Sequence, residues 1–244
     1  MTKAMIVDNG NWIAEGERSP DKQLKTVDEM YALVEKYGFL PLFKNSIKGF
    51  SVEEYSNPDA WWTDSEDDAW YWRELAARDK RVMYGKLFGK KAGFISKKWL
   101  PLLAAYRRKG YDFDARFEDG LASLKQKRVM DVIEEKGIVP SYLLKELAGF
   151  QKGGETGFET VLTALQMLTY ISVCDFSKKL NKKGEPYGWS IANYSTAETC
   201  MGEALVRAAY DTPREELEEK LIGNILRHFP HADRKTALAV ISPK

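Results

Sequence analysis

Residues 61–72 read Trp-Trp-Thr-Asp-Ser-Glu-Asp-Asp-Ala-Trp-Tyr-Trp, with four indoles, one phenol and four carboxylates in twelve positions. A carboxylate beside a sugar can stabilise developing positive charge and position a water molecule, and an aromatic wall can hold an extruded base. These are the ingredients for cleaving an N-glycosidic bond. On that chemistry the candidate acids are Asp64, Glu66, Asp67 and Asp68, with Asp67 and Asp68 foremost, and the candidate stacking walls are Trp62 and Trp70. A structural reading fits the same residues. Asp67 and Asp68 suit the first turn of a helix, where negative charge meets the helix dipole, and the indoles suit the core of a small domain.

A second concentration of usable groups lies between residues 136 and 194. Phe158, Val161, Leu162, Leu165 and Leu168 recur at three- and four-residue spacing, which predicts a helix over Thr156–Leu168 with one apolar face. Thr156 and Glu159 have the spacing of a capping box. The opposite flank carries Glu159, Thr160, Thr163 and Gln166, and Thr and Gln can read base edges from a major groove. An ordinary amphipathic helix with a solvated flank is the competing reading. Thr169–Phe176 alternates as a half-buried strand does, and Tyr187–Tyr194 forms a second run. Between them lies SKKLNKKGEP, in which Lys178, Lys179, Lys182 and Lys183 can follow a phosphate backbone and Asn181 and Gly184 can make the turn. The same lysines could equally keep an exposed loop solvated.

These groups need elements to position them. A helix ending at Gly137, a short helix at Ser141–Ala148, the Thr156–Leu168 helix and the two strands follow the order helix, helix, recognition helix, wing, which predicts a winged-helix module. Upstream, Thr26 and Glu29 cap a helix that Gly38 stops. Ser51 and Glu54 repeat that logic over a short turn, and Asp67–Asp79 reads as helix. Val82–Phe88 and Ala92–Ile95 fit a hairpin around Gly89-Lys90-Lys91, with a helix as the alternative. Ser96 opens a helix to Arg108 in which Pro101 must lie in or near the first turn. Downstream, Ser195 and Glu198 predict a helix to Ala209, Thr212-Pro213 begin another to Phe229, and a last one covers Arg234–Ile241. The expected fold is mainly α with small β-hairpins, a winged-helix core and additional helices at both ends. The expected division is a Trp-rich α+β region over 1–110, the winged helix over 111–195, and a C-terminal helical segment over 196–244 packing on it.

Charge is unevenly spread. The chain has 37 Lys and Arg against 36 Asp and Glu, yet residues 1–76 balance at −7 and residues 77–109 at +10. The basic block includes Lys90, Lys91, Arg107 and Arg108, and it predicts a positive patch suited to a polyanion. With 244 residues, 44% of them hydrophobic, the chain can bury a core. The N-terminal residues lack the pattern of a signal peptide and no apolar run approaches the ~20 residues of a membrane span. Cys174 and Cys200 have no metal-type spacing, so neither a disulfide framework nor a metal site is expected, and the expected location is the cytoplasm. His228 and His231 have no further ligands near them in sequence, and the expected cofactor list is empty. Dinucleotide, phosphate-loop and nucleophile-elbow motifs are missing, and no histidine precedes position 228, which disfavours a Ser-His-Asp triad.

Taken together, the runs YGKLFGKKAGFISKKWLPLLAAYRRKGYD, VMDVIEEKGIVPSYLLKELAG, GFETVLTALQMLTYISVCDF and GWSIANYSTAE resemble the middle portion of the AlkZ family of winged-helix DNA glycosylases. GFLPLFKNSIKGFSVEEYS and WWTDSEDDAWYWRE bring the chain nearer to the shorter AlkZ-related proteins. The resemblance covers roughly residues 37–200. It implies binding to double-stranded DNA, damaged DNA included, and base excision in the full-length enzymes. Those enzymes carry a catalytic Gln–apolar–Gln pair ahead of the part matched here. This chain does not show the pair, since Gln166-Met167-Leu168 lacks the second Gln, and helices are expected after Tyr194 where that family has a β-barrel. A reading of another class stays open: a regulatory protein whose Trp-rich half takes an aromatic small molecule.

Overall fold

The computed structural model describes residues 23–63 and 65–243, together with strands β1 (Ile6–Asp8) and β2 (Asn11–Ile13), which pair antiparallel with Val7 opposite Trp12. It is a mixed α/β structure, about 47% helical, with small antiparallel sheets.

Local chemistry sets most of the element ends. Helix α1 (Val27–Tyr37) begins where the Thr26 side chain accepts from the Glu29 N–H and stops at Gly38, whose φ of 86° suits glycine. The Glu29 carboxylate reaches back one residue beyond the cap, to the Lys25 N–H. Ser51 and Glu54 hold the short 3-10 turn Glu53–Tyr55 in the reciprocal manner expected of them. Asp68 caps α2 (Ala69–Asp79). Strand β3 (Phe39–Pro41) joins the hairpin of β4 (Val82–Phe88) and β5 (Lys91–Ser96) in the order β3-β5-β4. The hairpin turn is Gly89-Lys90, both with positive φ (54° and 66°), which matches the right-handed twist of the strands it links. Helix α3 (Leu100–Arg108) carries Pro101 in its first turn, as the sequence requires.

Beyond α4 (Phe113–Glu118), α5 (Leu124–Lys136) opens on a Ser123/Gln126 capping box and stops at Gly137. The short β6 (Val139–Pro140), α6 (Ser141–Leu147) and α7 (Phe158–Met167) lead into the long strands β7 (Ile171–Leu180) and β8 (Pro186–Thr196), with sheet order β6-β8-β7. The expected Thr156–Glu159 capping box is not formed. Helix α7 starts at Phe158 behind Gly157, no side chain caps it, and the Thr156 carbonyl accepts from Lys125 instead. The expected helix from Ser195 to Ala209 is likewise two pieces, α8 (Ala197–Met201) and α9 (Glu203–Arg207). Thr196 rather than Ser195 caps the first, and Gly202 at φ 101° separates the two. Helices α10 (Arg214–His228) and α11 (Arg234–Ile241) match the expected spans within a residue or two.

One apolar core runs from Leu24 to Ile241 and takes residues from every helix and from strands β3 to β8. The two three-stranded sheets meet where Ser172 Oγ of β7 donates to the Tyr84 carbonyl of β4 at 3.0 Å, with the Tyr84 and Phe176 rings 6.2 Å apart. Helix α10 lies against α3 and α1: Asn224 donates to the Tyr37 carbonyl, Tyr106 to Glu218, and Phe229 packs on Tyr37 and Phe50. The C-terminal helices therefore reach the N-terminal region as well as the end of α7. His231 bonds the Lys48 carbonyl and His228 packs edge-on to Tyr37.

A disulfide joins Cys174 of β7 to Cys200 of α8, with Cα atoms 5.7 Å apart and both residues buried. This corrects the sequence expectation. A separation of 26 residues carries no pairing signal, and only the return of the chain along β8 brings α8 beside β7. No described helix is long and apolar enough to cross a membrane.

Candidate nucleic-acid interface

Helix α7 is amphipathic, but its polar flank is not free. Phe158, Leu162 and Leu165 enter the core as their spacing predicts. On the other side β4 covers the C-terminal half of the flank. Gln166 is 0% exposed: its Oε1 accepts from the Lys86 N–H at 2.8 Å and its Nε2 donates to the Leu162 carbonyl at 3.2 Å. The fit is tight enough that a Cβ on Gly85 would stand 3.0 Å from Gln166 Oε1. Thr163 is also buried. Thr163 and Gln166, expected to face a groove, are thus turned into the protein and away from solvent. An amide that satisfies the backbone of a neighbouring strand is spoken for, and leaving that strand N–H unpaired would cost stability. Thr160 and Glu159 stay exposed, and Glu159 pairs with Lys86 at 3.2 Å. Thr160 shares the rim of a shallow cleft with Lys90, Met167 and Pro243.

The basic block fares similarly. Arg107 and Arg108 are each 1% exposed, so neither can reach a phosphate. Arg107 ties two helix ends together by donating to the Met167 carbonyl at the end of α7 and to the Ile241 carbonyl at the end of α11. Burial presses its pKa down to about 9, which still leaves it charged at neutral pH. Arg108 donates to Glu198, Tyr210 and the Thr169 carbonyl and lies over the Tyr170 ring. Burial alone would lower its pKa, but Glu198 and Tyr210 outweigh that and hold it above the ordinary value. Arg78 is taken by Asp175 and Glu74, Arg81 by Asp28, and Lys86 by Glu159. Lys90 and Lys91 remain exposed at the β4–β5 turn, where the Lys90 N–H lies 3.4 Å from the Met167 sulfur. The sequence patch of +10 thus divides into internal struts, surface pairs and the exposed Lys90, Lys91, Lys97, Lys98 and Lys109, which form no ion pair among the described residues.

The β7–β8 hairpin behaves in the opposite way. Its base is core: Val173, Cys174, Phe176 and Tyr194 are buried. From Lys178 to Trp189 every residue is exposed. Lys178, Lys179, Lys182 and Lys183 form no ion pair among the described residues. Lys179 lies 4.9 Å above the ring of Tyr142 on α6. Asn181 builds the tip, accepting from the Lys183 and Glu185 N–H groups while its amide donates to Glu185. The local acid is thereby tied to the turn, and the lysines are left unopposed. Leu180, Tyr187 and Trp189 are exposed among them, a feature that sequence reasoning passed over. The available signal was their interleaving with lysines in a segment too polar to be core.

The Trp-rich segment is largely architecture. Asp68 is fully buried and accepts from the Trp70 N–H (2.8 Å) and the Thr63 N–H (3.0 Å), so its carboxylate caps α2, as the structural reading of this acid expects. Asp67 is half-buried and accepts from Asn57 (2.9 Å) and Ser65 (2.8 Å), which hold it below the usual carboxylate range. Glu66 is exposed, and Asp64 lies outside the described residues. Trp72 is buried and its Nε1 donates to the Glu66 carbonyl at 2.7 Å. Trp62 is 36% exposed with a φ of 62° and stands 6.3 Å from Trp70. Arg73 lies against Trp70 at 4.1 Å and also against Phe176 at 4.6 Å. Among the described residues no group of three or more His, Cys, Asp or Glu is placed to hold a metal ion.

Fold and surface thus define a mixed α/β protein with a lysine-bearing β-hairpin whose ammonium groups form no ion pair among the described residues, beside a helix of otherwise occupied polarity. The chain belongs to the AlkZ-related family, whose model matches residues 24–242, and it is on that footing related to DNA glycosylases. That match extends the sequence resemblance to nearly the whole described chain. Comparison with curated proteins and with solved structures returned no match.

Proposed function

We propose that this protein is a winged-helix binder of double-stranded DNA that grips the phosphate backbone through its wing. The order α5, β6, α6, α7, β7, β8 and the sheet order β6-β8-β7 support the winged-helix reading. The observation that carries the function is the exposed, unopposed quartet Lys178, Lys179, Lys182 and Lys183, supported by Lys90 and Lys91 at a second turn. With Gln166 and Thr163 buried, α7 has only Thr160 left of its expected reading residues, and the binding has little sequence preference. Membership of a family related to DNA glycosylases supports an activity at damaged DNA. If base excision occurs, the candidate acids left are Glu66 and Asp67, with Trp62 as an exposed indole of the same segment, because Asp68 serves as a cap.

A salt series of binding to plain, abasic and alkylated duplexes tests this. Affinity is expected to fall steeply with salt. Replacing all four wing lysines with Ala is expected to make log K against log salt shallower by about 3 to 4, at ~0.9 per phosphate contact. Equal binding by parent and quadruple variant at low salt would remove the wing from the interface. Abasic product from the alkylated duplex would add catalysis, and Asp67→Asn should then abolish it.

A further inference from the structure

The most exposed large apolar side chain in the described structure is Trp189, at 83%, and it sits on the lysine hairpin. Trp61 and Trp72 are buried, and Trp70 and Trp99 are half-buried. The backbone around Trp189 departs from a regular ladder. Ser177 faces Ile191 and Lys179 faces Tyr187, so Lys178 alone on β7 opposes Gly188, Trp189 and Ser190 on β8. Gly188 takes a φ of 74° at this irregularity. A bulge of this kind re-aims the side chains it carries and is found where a strand must present a residue outward. Tyr187 and Leu180 are exposed beside it, and lysines occupy the facing strand and the tip.

We propose that Trp189 is a stacking wedge: with the lysines on phosphates, its indole enters the duplex and stacks on a base at an unstacked or easily kinked step. The proposal rests on the duplex-binding reading above and deepens it by assigning a residue that touches bases. Cationic side chains alone would favour any polyanion. Adding a flat apolar ring among them suits a polyanion that has flat apolar faces to offer, and base–aromatic stacking is tolerant of sequence. That matches an interface whose helix-borne reading groups are buried. A lesion or mismatch weakens the local stack, so the same wedge favours damaged over intact duplex.

The test uses the full chain and a duplex carrying 2-aminopurine, whose emission rises when it is unstacked. At saturating wild-type protein the emission is expected to rise, more at a mismatch than in a perfect duplex. Trp189→Ala should bind about tenfold more weakly with an unchanged salt slope, and should lose the emission rise. Trp189→Phe should recover most of both. Substitution at so exposed a position leaves the fold intact, which circular dichroism verifies. Full binding without an emission change, or a Trp189→Ala protein that behaves as wild type, overturns the wedge and leaves the wing reading standing. Failure of the wild type to bind any duplex at low salt overturns the duplex reading, and the wedge falls with it. A Trp189-dependent blue shift on anionic phospholipid vesicles, in a protein that ignores duplex, would assign the hairpin to a lipid surface and also overturn the proposal.

Discussion

Residues 77–109 and residues 178–183 are both strongly basic, yet the arginines of the first and the lysines of the second end in opposite circumstances. In the first stretch Arg107 and Arg108 are interior struts and Arg78, Arg81 and Lys86 are taken by carboxylates. In the second, four lysines stand in solvent with no ion pair among the described residues. The difference is one of neighbours. Helix α3 packs against α9 and α10, its Arg107 meets the carbonyl ends of α7 and α11, which need donors, and a guanidinium can serve several acceptors at once. The hairpin extends past the core, where its ammonium groups form no ion pair among the described residues and only Lys179 has a ring, that of Tyr142, beneath it. Charge counted along a chain therefore measures surface potential only where the element is free of the core.

The comparison can be broken most sharply at Arg108. Arg108→Ala removes one partner of a buried ion pair and leaves Glu198 facing Tyr210 and the Thr169 region. A loss of about 3–5 kcal/mol in stability is expected, read by urea unfolding, while duplex affinity of the folded fraction stays the same. A loss under about 1 kcal/mol would mean that the strut is decorative. Lys182→Ala with Lys183→Ala should do the reverse. Stability should be unchanged in the same unfolding assay, and the salt slope should become shallower by about 2. Any sizeable shift in melting would show that the tip is structural.

Gln166→Leu separates a reading residue from a packing residue. It strips the acceptor from the Lys86 N–H, and a cost of about 1–3 kcal/mol is expected with no change in binding to any duplex. Weaker binding at full stability would return Gln166 to the interface. The smallest effect concerns Asp67. Its folded pKa is depressed by the bonds from Asn57 and Ser65, so its contribution is complete above the ordinary aspartate value and fades as pH falls through the lower folded one. Asp67→Asn should be slightly less stable at neutral pH, and the two stability curves should converge on acidification. Parallel curves down to low pH would contradict that sign.

Local patterns made the framework legible. The Thr26 cap and Gly38 stop of α1, the Pro101 position in α3, the β4–β5 turn at Gly89-Lys90 and the β7–β8 hairpin all follow from short-range chemistry that the chain spells out. Where the reading failed, either a nearby glycine or a distant segment was the cause. Thr156 lost its capping role to the positive-φ Gly157, and the predicted 195–209 helix was divided at Gly202. The flank of α7 looked solvated because periodicity reports which side of a helix is apolar and not what else presses on the polar side. Strand β4, some 80 residues earlier, supplied that contact.

By itself, then, the amino-acid order determined the succession of helices and strands, the cationic hairpin between β7 and β8, and the family. Each of these depends on residues close together in the chain or on their spacing. The tertiary structure alone decided which polar groups remain available: Gln166, Asp68, Arg107 and Arg108 were drawn into the interior, Cys174 met Cys200, and Trp189 was left outside. Availability depends on desolvation and on the nearest hydrogen-bonding partner, and the partner is set by packing between segments that the linear order keeps apart.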